Sequence, residues 1–162
     1  MSKIKSKNRF EEICDYIILK YGNTIHNIID AAGGRGNLTI MLNNLGYNTT
    51  LVDIKHLRRE VECIEKEYIH TMAKDKDLVV SIFPDSALKE VLKSIKYADV
   101  LVLPCCNYLN DKKLTYEELY NEICDLLDKT NTKYEKYKFT FNGPKRLSLL
   151  IKKNDRFNIT KL

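Results

Sequence analysis

The residues best suited to chemistry are a glycine-rich turn, Asp30-Ala31-Ala32-Gly33-Gly34-Arg35-Gly36-Asn37, and an acid, Asp53, 17 residues beyond Gly36. Glycines let the backbone reverse sharply and approach a ligand closely, and the amides of the helix that follows point at that ligand. An acid closing the next strand bonds ribose hydroxyls in folds of this plan, with the ligand lying across the carboxyl ends of the strands. Asp30, Ala32, Gly33, Gly34, Gly36, Asn37, Asp53 and Ile54 are therefore the expected residues of a nucleoside-binding site. Two plainer readings stand beside this one: a tight turn with no ligand, and Asp53 as a helix N-cap.

Two further segments could meet a substrate. Phe83 ends the apolar run 77–83, and Pro84 and Asp85 follow it; Phe83 could stack on a planar group and Asp85 accept a proton. Asp85 or Ser86 could equally cap the following helix. Cys105, Cys106 and Asn107 follow the next apolar run, while Lys145 and Arg146 sit in the turn 142–146. Two adjacent cysteines with no His-Cys cluster do not splay easily round one ion, so no metal is expected. They read instead as small residues packed beneath a site.

These positions need a scaffold, and the chain supplies an alternation of helix-like and strand-like segments. Phe10, Ile13, Cys14, Ile17 and Ile18 recur at helical spacing, so 9–21 reads as a helix ended by Gly22. Strands are expected at 26–32, 49–54, 77–83 and 99–104, and helices at 38–45, 85–96 and 115–129. Between the second and third of those strands, 57–66 reads as a short charged helix and 68–71 as a weak strand. Tyr134–Phe141 and Arg146–Lys152 close the chain as a hairpin around Asn142-Gly143-Pro144-Lys145. The continuous apolar character of 79–83 and 100–103 fits central parallel strands buried on both faces. The fold expected is α/β, a Rossmann-like three-layer sandwich with a mostly parallel seven-stranded sheet and a C-terminal antiparallel hairpin. Residues 1–8 are expected as a flexible basic arm and 9–162 as one domain.

A dinucleotide site asks for G-x-G-x-x-G, and Thr39 stands where its last glycine belongs. The sequence resembles instead the class I S-adenosylmethionine-dependent methyltransferases, whose first motif runs approximately (D/E)-x-G-x-G-x-G. Asp30-Ala31-Ala32-Gly33-Gly34-Arg35-Gly36 matches it at the acid and the last two glycines, with Ala32 for the first. The resemblance covers about residues 26–153. It implies S-adenosyl-L-methionine as cofactor, with 30–36 against its methionine part and Asp53 on its ribose. Asp77-Leu78-Val79-Val80 is similar to the family's fourth strand, and only Asp75 and His70 are available on the adenine side. Pro104-Cys105-Cys106 resembles a corner found in some RNA-modifying members, where a cysteine can attack a pyrimidine; the motifs that flank such a cysteine are missing here. The resemblance thus implies a methyltransferase acting on RNA. Asp85, Pro84 and Phe83 would lie at the reacting centre, and Cys105, Asn107, Lys145 and Arg146 against the substrate. A small-molecule methyltransferase and a non-catalytic cofactor- or RNA-binding module are the alternatives.

Composition agrees with an RNA partner and excludes several other classes. The chain has 162 residues and net charge +5, distributed unevenly: +4 over 1–9, −7 over 10–128 and +7 over 129–156. Basic ends on an acidic body point to a polyanion, or to lysines that keep exposed strands soluble. Tyr134, Tyr137, Phe139 and Phe141 interleave with Lys133, Lys136 and Lys138; they read as base and phosphate contacts or as an ordinary edge strand. No apolar run reaches the roughly 18 residues of a membrane span, and no secretory leader is expected. Five cysteines without a CxxC pair argue for a reducing cytoplasm rather than disulfides. A monomer or homodimer is expected.

Overall fold

A computed structural model describes residues 8–159. Helix α1, Arg9–Tyr21, begins where the Asn8 side chain accepts the Glu11 amide and ends at Gly22, whose positive φ of 54° the missing Cβ allows. It buries Ile13, Cys14, Tyr16 and Ile17 on one face. Strand β1, Asn27–Ala31, runs into the glycine turn and helix α2, Asn37–Asn44; β2 is Asn48–Asp53. Strand β4, Leu78–Ile82, leads through a 3-10 turn at Asp85–Ala87 into α3, Leu88–Lys93. After β5, Asp99–Leu103, comes α4, Tyr116–Lys129, with a reciprocal capping box between Thr115 and Glu118. The last strands are β6, Tyr134–Lys138, and β7, Leu147–Ile151.

With Cys63–Glu65 as β3, the seven strands among the described residues form one sheet in the order β3-β2-β1-β4-β5-β7-β6. Pairings among β3, β2, β1, β4 and β5 are parallel, and β7 runs antiparallel to both its neighbours. Successive residues of the central strands face opposite layers. Ile29, Val79, Val100 and Val102 pack with α3 and α4, while Ile28, Leu78, Val80 and Leu101 pack with α1 and α2. This is the three-layer α/β arrangement expected. Acids at the amino ends of strands tie the sheet together: Asp77 accepts the His26 and Asn27 amides at 2.9 and 2.8 Å. Asp99 accepts the Tyr21 hydroxyl at 2.7 Å and the Lys153 amide at 2.8 Å.

Two expectations fail. The segment 57–66 is not a helix: it is a turn followed by the three-residue strand β3, Cys63–Glu65. Val61 is the one buried residue among 57–67, so a helix there would have no apolar stripe to dock. Pairing of β3 with the free edge of β2 (Leu51 with Cys63, Asp53 with Glu65) satisfies the backbone instead. The region 68–71 is not a strand: His70–Ala73 is a 3-10 turn, fixed by Tyr68 against Ser94 at 2.7 Å and by His70 against Glu90 at 2.6 Å. Residues 1–7 of the expected arm lie outside the described residues, and Asn8 belongs to α1 as its cap.

Candidate active site

The glycine turn is shaped by packing from below and by an acid from the side. A Cβ on Gly33 would lie 2.4 Å from Leu51 Cδ1 and 2.5 Å from Asp30 Cγ, so no side chain fits. One on Gly36 would come within 2.9 Å of Leu51 and 3.0 Å of Val61. Gly34 differs: at φ +60° its outer side meets nothing within 4 Å. The Gly34 amide donates to Asp53 Oδ2 at 2.9 Å, and the Lys55 amide to Asp53 Oδ1 at 3.0 Å. Asp53 therefore clamps the turn rather than capping a helix, and each of its oxygens keeps a lone pair for a ligand hydroxyl. Ala32 takes φ +54°, the left-handed region that glycine enters freely.

Asp30 is buried and accepts the Thr39 hydroxyl at 2.8 Å. Burial pushes its carboxyl up to about 6, against the lowering effect of the Thr39 hydrogen bonds. Thr39 thus has a positive role, anchoring Asp30, that the sequence showed only as a missing glycine. Asp30, Ala32, Gly33, Gly34 and Asn37 line one cavity of about 210 Å³ together with Arg9 and Phe10. A second cavity of about 740 Å³ adjoins it, sharing Arg9, Phe10 and Asn37 and adding Arg58, Phe141 and Asn142. Gly36 lies beneath, at the start of α2, and Ile54 is exposed beyond the clamp. Arg9 and Phe10 come from α1; nothing in their local sequence marks them as site residues.

The ends of β4 and β5 lie side by side, as their register from Leu78–Asp99 to Ile82–Leu103 requires. Phe83 and Asp85 both hold positive φ, 56° and 49°, on either side of Pro84. Such conformations cost side-chain-bearing residues about 1–3 kcal/mol and are held by surrounding structure. The Arg9 guanidinium sits 5.1 Å from the Phe83 ring centroid, so stacking of Phe83 on a planar substrate requires Arg9 to move. Asp85 makes no helix cap, contrary to the plainer expectation; its Oδ1 accepts the Cys105 thiol at 3.0 Å. Burial and then Asp85 push Cys105 up to about 12, so it stays a thiol at neutral pH and is a poor nucleophile. Cys106 is exposed, with Lys145 Nζ 3.8 Å from its sulfur. The turn 142–146 therefore lies on the carboxyl-end rim.

Asn107 braces its own loop, donating to Asn110 at 2.9 Å and to the Lys112 carbonyl at 2.8 Å. Arg146 Nε and Arg9 Nε are buried without a hydrogen-bond partner among the described residues. Of the four interleaved aromatics of the hairpin, Phe139 and Phe141 are buried, Tyr134 is half-buried and Tyr137 is exposed, its ring tilted against Tyr16 with centroids 4.6 Å apart.

The chain covers 91% of itself and 98% of an rRNA methylase from Streptococcus thermophilus, at 12% identity and TM-score 0.58. It also matches the plantazolicin methyltransferase BpumL in complex with SAH (90% and 82% covered, 16% identity, TM-score 0.57). The fold is that of the class I methyltransferases. A precorrin-6y C5,15-methyltransferase from Geobacter metallireducens shares this methyltransferase fold as well, over 93% of this chain and 90% of that one, at 14% identity and TM-score 0.54. No protein-family model matches the sequence, and no curated protein matches it. No helix among the described residues is long and apolar enough to cross a membrane.

Proposed function

We propose that this chain is an S-adenosyl-L-methionine-dependent methyltransferase whose acceptor is RNA. The observation that carries the reading is the Gly34–Asp53 clamp, which holds a glycine turn open onto a cavity at the carboxyl ends of β1 and β4. The residues fit the cofactor: the outer side of Gly34 is free, Asp30 offers a carboxylate to a cationic group, and Asp53 keeps acceptor capacity for ribose hydroxyls. The adjoining cavity lies within the roughly 300–1,000 Å³ typical of small-ligand sites. Bound there, the cofactor supplies an already activated methyl group. The protein's share of catalysis is then proximity and in-line orientation, with Phe83, Pro84 and Asp85 shaping the acceptor side.

RNA is favoured by the rim's cations. Arg9, Arg58, Lys145 and Arg146 come from three separate segments, and cationic side chains gathered in this way suit phosphate oxygens. The structural relatives act on dissimilar acceptors, so a small-molecule substrate is the second reading. Calorimetric titration with S-adenosylhomocysteine, with NADH as control, tests the cofactor. Micromolar binding that Asp53→Ala abolishes is expected, and no binding by folded protein overturns the enzyme reading. RNA affinity that falls steeply with salt separates the two acceptor classes.

A further inference from the structure

We infer that Asp85, Cys105 and Cys106 form a binding site for a thiophilic divalent cation, zinc above all. One donor atom from each residue lies within 4.8 Å of the other two. The sequence expects two adjacent cysteines not to splay easily round one ion; here the chain leaves β5 at Pro104 as irregular backbone rather than as a continuing strand, and the three donor atoms converge. Both sulfurs then turn towards the carboxylate brought in by the β4–α3 connection. In a tetrahedral zinc site with metal–sulfur bonds of about 2.3 Å, sulfurs sit roughly 3.8 Å apart, so only a small contraction is needed.

The surroundings suit an ion better than simple packing. Cys106 and Asp85 are exposed, so neither fills a core, and Asp85 is held at φ +49° with its carboxylate on the Cys105 sulfur rather than on a helix end. Two thiolates and a carboxylate around a divalent ion leave one negative charge, and the Lys145 ammonium 3.8 Å from Cys106 neutralises it. Binding releases the two thiol protons to solvent and needs no oxidant. Three protein donors leave a fourth position for water or for a donor atom of a bound molecule, the pattern of reactive rather than purely structural zinc sites. The site shares Asp85 and Lys145 with the acceptor side and rim of the methyl-transfer reading, but metal binding is measured without cofactor or RNA, so either reading can fail alone.

The test is titration of the full reduced chain with Co²⁺, used as a spectroscopic probe for zinc. One equivalent should give sulfur-to-cobalt charge-transfer absorption in the near ultraviolet with strong tetrahedral bands, bleached by one equivalent of Zn²⁺. Cys105→Ser and Cys106→Ser should each remove about half of the charge-transfer intensity, as expected for a site with two thiolates. Asp85→Asn, on an exposed side chain, should weaken binding with both sulfurs retained. Lys145→Met should weaken it roughly 10–100-fold, as loss of an outer partner does. Cys63→Ser should change nothing. No cobalt spectrum from folded wild-type chain overturns the proposal. So does a spectrum that survives in the Cys105→Ser/Cys106→Ser double variant.

Discussion

The Thr39 hydroxyl donates to Asp30 at 2.8 Å beneath the glycine turn, and among the described residues it is the one side-chain hydrogen-bond donor to a carboxyl that folding removes from water. It joins the acid at the end of β1 to the first turn of α2. Loop, helix and ligand-facing carboxylate thus form one unit.

Asp30 sets a pH dependence with a definite sign. Its folded carboxyl holds a proton up to about 6 against an ordinary value of 3.8. Between those values the native state binds more protons than the unfolded one, so stability falls as pH rises through that window and is level above it. Asp30→Asn should remove this slope and stabilise the unliganded protein above pH 6 by up to about 3 kcal/mol. Urea unfolding at pH 4.5 and 7.5 reads it. S-Adenosylhomocysteine affinity should rise with pH through about 6 in wild type, and be weaker and flat in the variant.

Adjacent glycines should respond differently to alanine. At Gly33 the new methyl collides with Leu51 and Asp30, an overpacking that costs about 1–3 kcal/mol. At Gly34 it meets open space on the cavity side, so stability falls by only about 1 kcal/mol of left-handed backbone strain while cofactor binding is lost. Thermal unfolding alongside calorimetry separates the two. Ala32→Gly, which relieves φ +54°, should raise Tm by roughly 2–4 °C.

Arg58 lines the larger cavity and is absent from the lining of the smaller one. If RNA phosphate passes there, Arg58→Ala lowers the slope of log affinity against log salt by about one, uniformly across sequences. Its S-adenosylhomocysteine titration should match wild type. An unchanged salt slope would remove Arg58 from the RNA path.

Asp77 lies below its ordinary value, because the His26 and Asn27 amides favour its charged form. Its contribution is present above the unfolded carboxyl's range and disappears as pH falls through the folded value. Asp77→Ala should cost about 1 kcal/mol at pH 7 and less in acid. Paired urea titrations check both.

Much of this was readable in the chain. Apolar runs gave β4 and β5, helical spacing gave α1 and α4, and the turn with its strand-end acid located the cavity, because each is a local pattern. The failures at 57–66 and 68–71 have a common cause: those residues take their form from a neighbouring edge or helix. Asp85 looked like a cap because position relative to a helix is all that sequence reveals; its true partner lies 20 residues on. Arg9 reached the site by the docking of α1, a contact across the fold that no spacing encodes.

The sheet order has a consequence for synthesis. Strand β7 is made after β6 yet lies between β6 and β5. Until residues 147–151 emerge, a nascent chain carries the apolar edge of Val100–Val102 without its cover, and β6 has no strand to join. Such an edge templates association between chains. Ribosome-bound chains stalled at residue 146 should therefore hold chaperones, and the rim that brings Lys145 to Cys106 should be the last part of the molecule to form.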